Sequence, residues 1–321
     1  MTQDEGWRPT ASFDVLRLRA QMLKQLRAFF DARGVLEVET PALSRAGATD
    51  RHLASFRIDD AHGSRYLHTS PEYPMKRLLA AGSGDIWQAC KVFRADEAGR
   101  FHNPEFTLIE WYRVGFDHHR LMREVAELIA TLVPSVAGEP EYLTYRAAFQ
   151  RYAGINPMQT DAVACREVLR IRGNEVPAAH AFDTDGWLDL IAGEIVYPAL
   201  GHKHVVFVYD FPASQAALAR VRPGEPPVAE RFEAFVRGVE LANGFHELAD
   251  PGEQRRRFER DLERRRIDNL PMVTMDEQLL QALGQGFPDC AGVALGFDRL
   301  VMLAAGAEAI EDVIAFPFDR A

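Results

Sequence analysis

A chain of 321 residues with 47% hydrophobic and 26% charged residues has ordinary globular composition and enough length for one large domain or two modest ones. Its formal net charge of -10 gives no support for a broad basic face that grips nucleic acid by its phosphates, so small-molecule or protein substrates are the expectation. Three distant cysteines (Cys90, Cys165, Cys290) without metal spacing argue against a disulfide framework and a structural zinc, and a polar N-terminus without any apolar run of about 20 residues predicts a cytoplasmic protein with no membrane span.

Leu16, Ala20, Leu23, Leu26 and Phe30 recur at steps of three and four, predicting a helix over 11–33 with Gly34 as its C-cap. Residues 35–40 alternate as a strand, which Pro41 stops. Residues 66–69 read as a short strand, and a helix follows with Pro71 at its first position. Residues 86–94 and 104–114 read as two long antiparallel strands joined by a polar loop, the mark of a large antiparallel sheet. Residues 118–133 form an amphipathic helix, with His118 and His119 at its start read as surface residues and not as metal ligands. A linker at 134–141 leads into a mostly helical stretch, 142–200, and then a buried strand at 205–209. Residues 230–248 carry Phe232, Phe235, Val239 and Leu241 but are broken by Gly238 and Gly244, which suits a strand pair better than a helix. Residues 252–267 read as a charge-laced exposed helix, and a glycine-bracketed strand at 292–296 precedes a helix from 298 to 305.

The chemistry-bearing residues fall into four groups. Arg94 ends a strand, a rigid base for a fork that matches phosphate oxygens, and the loop beyond it carries Arg100, His102 and Asn103, of which Arg100 and His102 could clamp outer phosphates. A solvated hairpin with scattered charges reads the same way. Gly292 and Gly296 let a ligand approach the strand backbone, and Arg299 opens a helix whose first amides favour anions; an Asp298 N-cap beside a surface arginine is the alternative. Glu233, Glu240 and Glu247 recur at seven-residue intervals, and in a half-buried extended segment such carboxylates need a metal ion or an ammonium group. Glu72, after Ser70 and Pro71, and Glu110, beside Tyr112, add acids with no matching base in the sequence, so Glu72, Glu110 and Glu247 together would suit a diamine.

Read in order, residues 34–41, 93–112 and 292–303 resemble motifs 1, 2 and 3 of the class II aminoacyl-tRNA synthetases, and the resemblance covers nearly the whole chain as one catalytic domain, 1–321. It implies an α+β fold, an antiparallel sheet flanked by helices. His102-Asn103-Pro104-Glu105-Phe106-Thr107 and Glu240-Leu241-Ala242-Asn243-Gly244-Phe245-His246-Glu247 are similar to the lysine-specific enzymes. There are two departures: motif 1 begins too early to leave room for the N-terminal OB-fold of those enzymes, and Ala294 stands where they have glycine. Both features, with residues 211–215 and 313–321, resemble the short lysyl-synthetase paralogues that modify elongation factor P.

That resemblance implies an ATP-dependent ligase, releasing AMP and pyrophosphate, which activates (R)-β-lysine as an adenylate and transfers it to one lysine of elongation factor P. The implied cofactors are ATP and Mg²⁺, and the implied assembly is a homodimer through motif 1 that uses no tRNA. By the same resemblance Arg94 and Arg299 are catalytic, the first on the α-phosphate and the second at the γ-phosphate end. Ala95, Asp96, His102, Asn103, Leu241 and Gly296 line the nucleotide, Asp96 standing where the family uses glutamate against adenine. Glu233 and Glu240 hold Mg²⁺, with Glu240 also at the nucleotide. Ser70, Pro71, Glu72, Asn243 and Ala294 line the amino-acid substrate, Glu72 taking its backbone-side amine, while Glu110, Tyr112 and Glu247 take its terminal ammonium. Two other readings remain at this point: a short enzyme charging tRNA or another amine acceptor with lysine, and a non-catalytic lysine-binding regulator, which the presence of Arg94 and Arg299 disfavours.

Overall fold

The computed structural model describes residues 7–61, 63–136, 138–176 and 182–321. They form two compact units: Met1–Gly115 with Thr131–Ser135 and Ala249–Ala321, and Phe116–Ala130 with Val136–Leu248.

The first unit opens with the helix Phe13–Asp31, where Ser12 caps the Val15 amide and Met22, Leu26, Phe29 and Phe30 are buried. The buried stripe is rotated from the expected one: Ala20 is exposed and Met22 lies inside. The strand expected over 35–40 shortens to Leu36–Glu37 and pairs in parallel with Ile86–Phe93. That strand pairs antiparallel along its whole length with Glu105–Val114, which in turn pairs antiparallel with Cys290–Gly296. The sheet of this unit is therefore antiparallel except at the short Leu36–Glu37 edge. Trp87 and Trp111 face each other in this register and are fully buried, and Phe30 stacks on Trp87 with ring centres 4.7 Å apart. One helix face is thereby seated on the sheet.

The helix Phe297–Ala305 follows Cys290–Gly296 directly, and its N-cap is Gly296, not Asp298. Asp298 does something else. It is 1% exposed, accepts the Thr107 amide proton at 2.6 Å through one oxygen and pairs with Arg19 through the other. Arg19 also donates to Thr107 Oγ1 at 2.7 Å and lies over the Phe297 ring. The charge-laced helix expected to be exposed over 252–267 runs Pro251–Ile267, is capped by Asp250 and buries one face through Gln254, Arg257, Phe258 and Arg265. Arg265 is tolerated inside because it donates to the carbonyls of Pro271 and Asp50.

The second unit contains the helix start at His118 and the strands Glu141–Thr144, Val206–Pro212, Val221–Arg222, Val228–Val236 and Val239–His246. The expected strand pair is the antiparallel hairpin of Val228–Val236 with Val239–His246. Arg237 and Gly238 form its turn with φ of 52° and 74°, both left-handed as a tight hairpin turn requires. A register shift between Ala234 and Phe235 marks a bulge in the hairpin. The strand Glu141–Thr144 starts at the last residue of the expected linker and continues into the stretch expected to be mostly helical, and its partner is Val206–Pro212. The mostly helical stretch yields Tyr145–Tyr152, Ala162–Ile171 and Thr184–Ile191, packed through Tyr145, Phe149 and Trp187. Among the described residues no helix is long and apolar enough to cross a membrane.

Replacing Asp298 by alanine strands the Arg19 guanidinium and the Thr107 amide in a buried place. The expected cost is about 3 kcal/mol, read as a lower urea midpoint for unfolding. An unchanged midpoint would show that the pair adds nothing to stability.

Candidate active site

In the first unit the acids are built around Glu110, which is 2% exposed on the central strand. Ser70 Oγ donates to one of its oxygens at 2.6 Å and Tyr112 OH to the other at 2.7 Å. Hydroxyl donors favour an ionised carboxylate and fix its direction. Ser70 Oγ also accepts the Glu72 amide at 3.0 Å, so one hydroxyl aims Glu110 and starts the helix Glu72–Ala80. Pro71 sits at the cap of that helix, one position before the first helical residue expected of it. Ala294 lies directly opposite Glu110 on one neighbouring strand and Gln88 on the other. Directly opposed side chains share a face, which puts the Ala294 methyl beside the carboxylate. Glu72 has a base after all: the 1%-exposed Lys76 places Nζ 2.6 Å from it, one helical turn along.

The phosphate-type residues are also placed by strand ends. Arg94 follows the Ile86–Phe93 strand, lies over Phe106 and donates to Glu97 at 3.0 Å. Ala95 is anchored by a hydrogen bond from its amide to the Ala54 carbonyl, while Asp96 is exposed. Arg299 Nη2 stands 2.7 Å from His102 Nε2, joining the loop after Arg94 to the helix Phe297–Ala305. Arg100 instead donates to the Glu308 carbonyl. Asn103 spends both ends of its amide inside the protein, donating to the Glu105 carbonyl and accepting the Phe318 amide. A methyl group added at Gly296 would meet only the Arg299 side chain, at 3.6 Å.

In the second unit Glu233 is 4% exposed and bound by Arg231 at 2.5 Å. Burial pushes its carboxyl up to about 7; Arg231 pulls it back and the charge of Glu240 pushes it further up. Asn243 is its direct partner across the hairpin. Strict alternation would set residues 240 and 243 on opposite faces, and the bulge breaks that alternation. Glu233 Oε2 and Asn243 Oδ1 are both buried with no hydrogen-bond partner among the described residues. Two like-charged carboxylates and orphaned oxygens form a hard-oxygen set that fits a Mg²⁺ ion. Leu241 is buried between them in sequence, and Glu247, 1% exposed, bridges to Ala219.

Several features had no sequence signal strong enough to find them. Lys76 was legible only as an i+4 partner of Glu72, and Arg231 only as the i−2 neighbour of Glu233 on a strand. His118 is a correction: it is 2% exposed and not a surface residue. An unbroken apolar stripe behind it made the helix start look solvated, whereas strand residues from far along the chain cover it.

The family model of the class II tRNA synthetases (D, K and N) matches residues 7–320. The chain belongs to that family. It is 49% identical to the elongation factor P--(R)-beta-lysine ligase of Vibrio cholerae, over 99% of both chains. The ligases of that name from Edwardsiella ictaluri and Salmonella dublin are 49% and 48% identical over the full length of both chains. The family's α+β catalytic architecture is the one described above.

Since only Arg299 would touch a methyl at residue 296, Gly296→Ala is expected to keep the melting temperature within about 2 °C. The same variant should bind ATP at least about tenfold more weakly by calorimetry if the nucleotide lies against this backbone. Unchanged ATP affinity would place the nucleotide elsewhere.

Proposed function

We infer that this chain is an ATP-dependent ligase that activates (R)-β-lysine and transfers it to a lysine of elongation factor P. The observation that carries this reading is a buried Glu110, aimed by Ser70 and Tyr112 beside Ala294, in a chain that aligns end to end with ligases of that name. We read residues 1–321 as one catalytic domain acting in the cytoplasm as a homodimer through motif 1, without tRNA. The exposed Leu36 and Leu43 near that motif are apolar surface of the kind a second copy would cover.

The chemistry asks little of a general base. The substrate carboxylate is ionised at neutral pH and attacks the α-phosphorus of ATP; the bond to pyrophosphate breaks and the aminoacyl-adenylate remains. The acceptor lysine, as free amine, then attacks the activated carbonyl, the C–N bond forms, AMP leaves and the amine loses a proton. Catalysis is alignment and charge stabilisation. Arg94 holds the α-phosphate, and Arg299, steadied by His102, grips the γ-phosphate end. Ala95, Asp96, Asn103, Leu241 and Gly296 line the nucleotide, with Glu97 holding Arg94 in place. Glu233 and Glu240 hold Mg²⁺, which when bound supplies positive charge to the phosphates. Glu72, with Ser70, Pro71, Asn243 and Ala294, receives the backbone side of the substrate. Glu110, Tyr112 and Glu247 receive its terminal ammonium, a cation that offsets the cost of burying acids.

With ATP, radiolabelled (R)-β-lysine and elongation factor P, label is expected on the factor. Pyrophosphate exchange without any labelled factor would overturn the proposed transfer. Ala294→Gly removes the methyl beside Glu110 and is expected to shift preference towards α-lysine by about tenfold in kcat/KM for exchange. An unchanged ratio would assign that choice to another residue.

A further inference from the structure

Three side chains of the second unit with no role assigned above, His118, Glu230 and His246, come together at one place, and a fourth, Asp210, stands against the first of them. His118 is the first residue of the helix His118–Leu132, Asp210 lies on the strand Val206–Pro212, Glu230 on Val228–Val236, and His246 ends Val239–His246. One ligand atom each from His118, Glu230 and His246 lie within 4.8 Å of one another. His118 Nε2 stands 3.6 Å from Asp210 Oδ1, and both atoms are buried without a hydrogen-bond partner among the described residues. His246 Nδ1 is 2.6 Å from Glu230 Oε2.

Arg222 sorts the carboxylate oxygens. It donates to Asp210 Oδ2 at 2.6 Å and to Glu230 Oε1 at 3.2 Å. Those are the outer oxygens, and Asp210 Oδ1 and Glu230 Oε2 are left for the histidines. Two carboxylates against one guanidinium leave the cluster one negative charge in excess when both imidazoles are neutral. Neutral imidazole is the form that ligates metal. Asp210 also holds φ at 58°, a left-handed conformation that costs a non-glycine residue energy and recurs at functional sites.

We propose that His118, Asp210, Glu230 and His246 form a binding site for a borderline transition-metal ion of the Zn²⁺ class. Two nitrogens and two oxygens are a tetrahedral Zn²⁺ or Co²⁺ donor set, whereas Mg²⁺ prefers oxygens alone. The ion would take the place of the hydrogen bond between His246 and Glu230 and fill the gap between His118 and Asp210. Because His246 immediately precedes Glu247, the ion would fix the strand end that presents that acid.

The test is Co²⁺ binding to the full chain in excess Mg²⁺, followed by visible d–d absorption and by melting temperature against chelator. One tightly bound Co²⁺ per chain with tetrahedral absorption is expected, displaced by Zn²⁺. His118→Gln and Asp210→Asn should each weaken binding at least about tenfold, with melting in chelator reporting that each variant is folded; Glu233→Gln should bind Co²⁺ as the unaltered chain does. No stoichiometric uptake by the unaltered chain would overturn the proposal. Equal uptake by the His118 and Asp210 variants, or uptake lost in Glu233→Gln, would overturn it as well.

Discussion

The Asp298 carboxylate, 1% exposed, meets the Arg19 guanidinium with one oxygen and the Thr107 amide with the other. Three elements distant in sequence are thereby tied at one point: the first helix, the long central strand and the helix that opens at Phe297. A buried carboxylate without those partners would cost several kcal/mol, so these elements dock in the one arrangement that satisfies it. The position of Arg299, proposed for the γ-phosphate end of the site, hangs from this tie. Arg299 is the next residue along, and Thr107 belongs to the strand that carries Glu110 and Tyr112.

The acids of the first unit are held with different partners, and the difference gives them different capacities. Glu72 has a buried ammonium, Lys76, within its own helix. Glu110 is aimed by the hydroxyls of Ser70 and Tyr112. A hydroxyl orients a carboxylate without neutralising it, which suits the ammonium-binding role proposed for Glu110. In the second unit Glu233 carries the opposite signature. Burial and the neighbouring Glu240 raise its proton affinity against the pull of Arg231, and an orphaned oxygen remains. The Mg²⁺ ion proposed for this site would relieve all three.

Much of the fold was legible in the chain. Alternation and glycine breaks predicted strands over 86–94 and 104–114 and a strand pair within 230–248, which fold as 86–93, 105–114 and the 228–246 hairpin, because side-chain period two survives in the sequence wherever one sheet face is buried. Edges were less legible. The strand expected over 35–40 keeps only Leu36 and Glu37, since an edge strand is defined by what its single neighbour pairs with. Exposure of charged helices was misjudged for the same kind of reason: Arg265 is buried because carbonyls from other segments receive it.

By itself the sequence determined the residue types and their order: arginines at a strand end and a helix start, a glycine-bracketed strand, and acids spaced along extended segments. Those are local properties, written in periodicity and in turn chemistry. Only the tertiary structure decided what each group faces. The hairpin bulge brings Glu240 to bear on Glu233, Lys76 answers Glu72, and His118 is enclosed with Asp210, Glu230 and His246. Some of these partners are near in sequence and others, such as His118 and His246, are more than a hundred positions apart; in each case it is the fold that decides which of them meet.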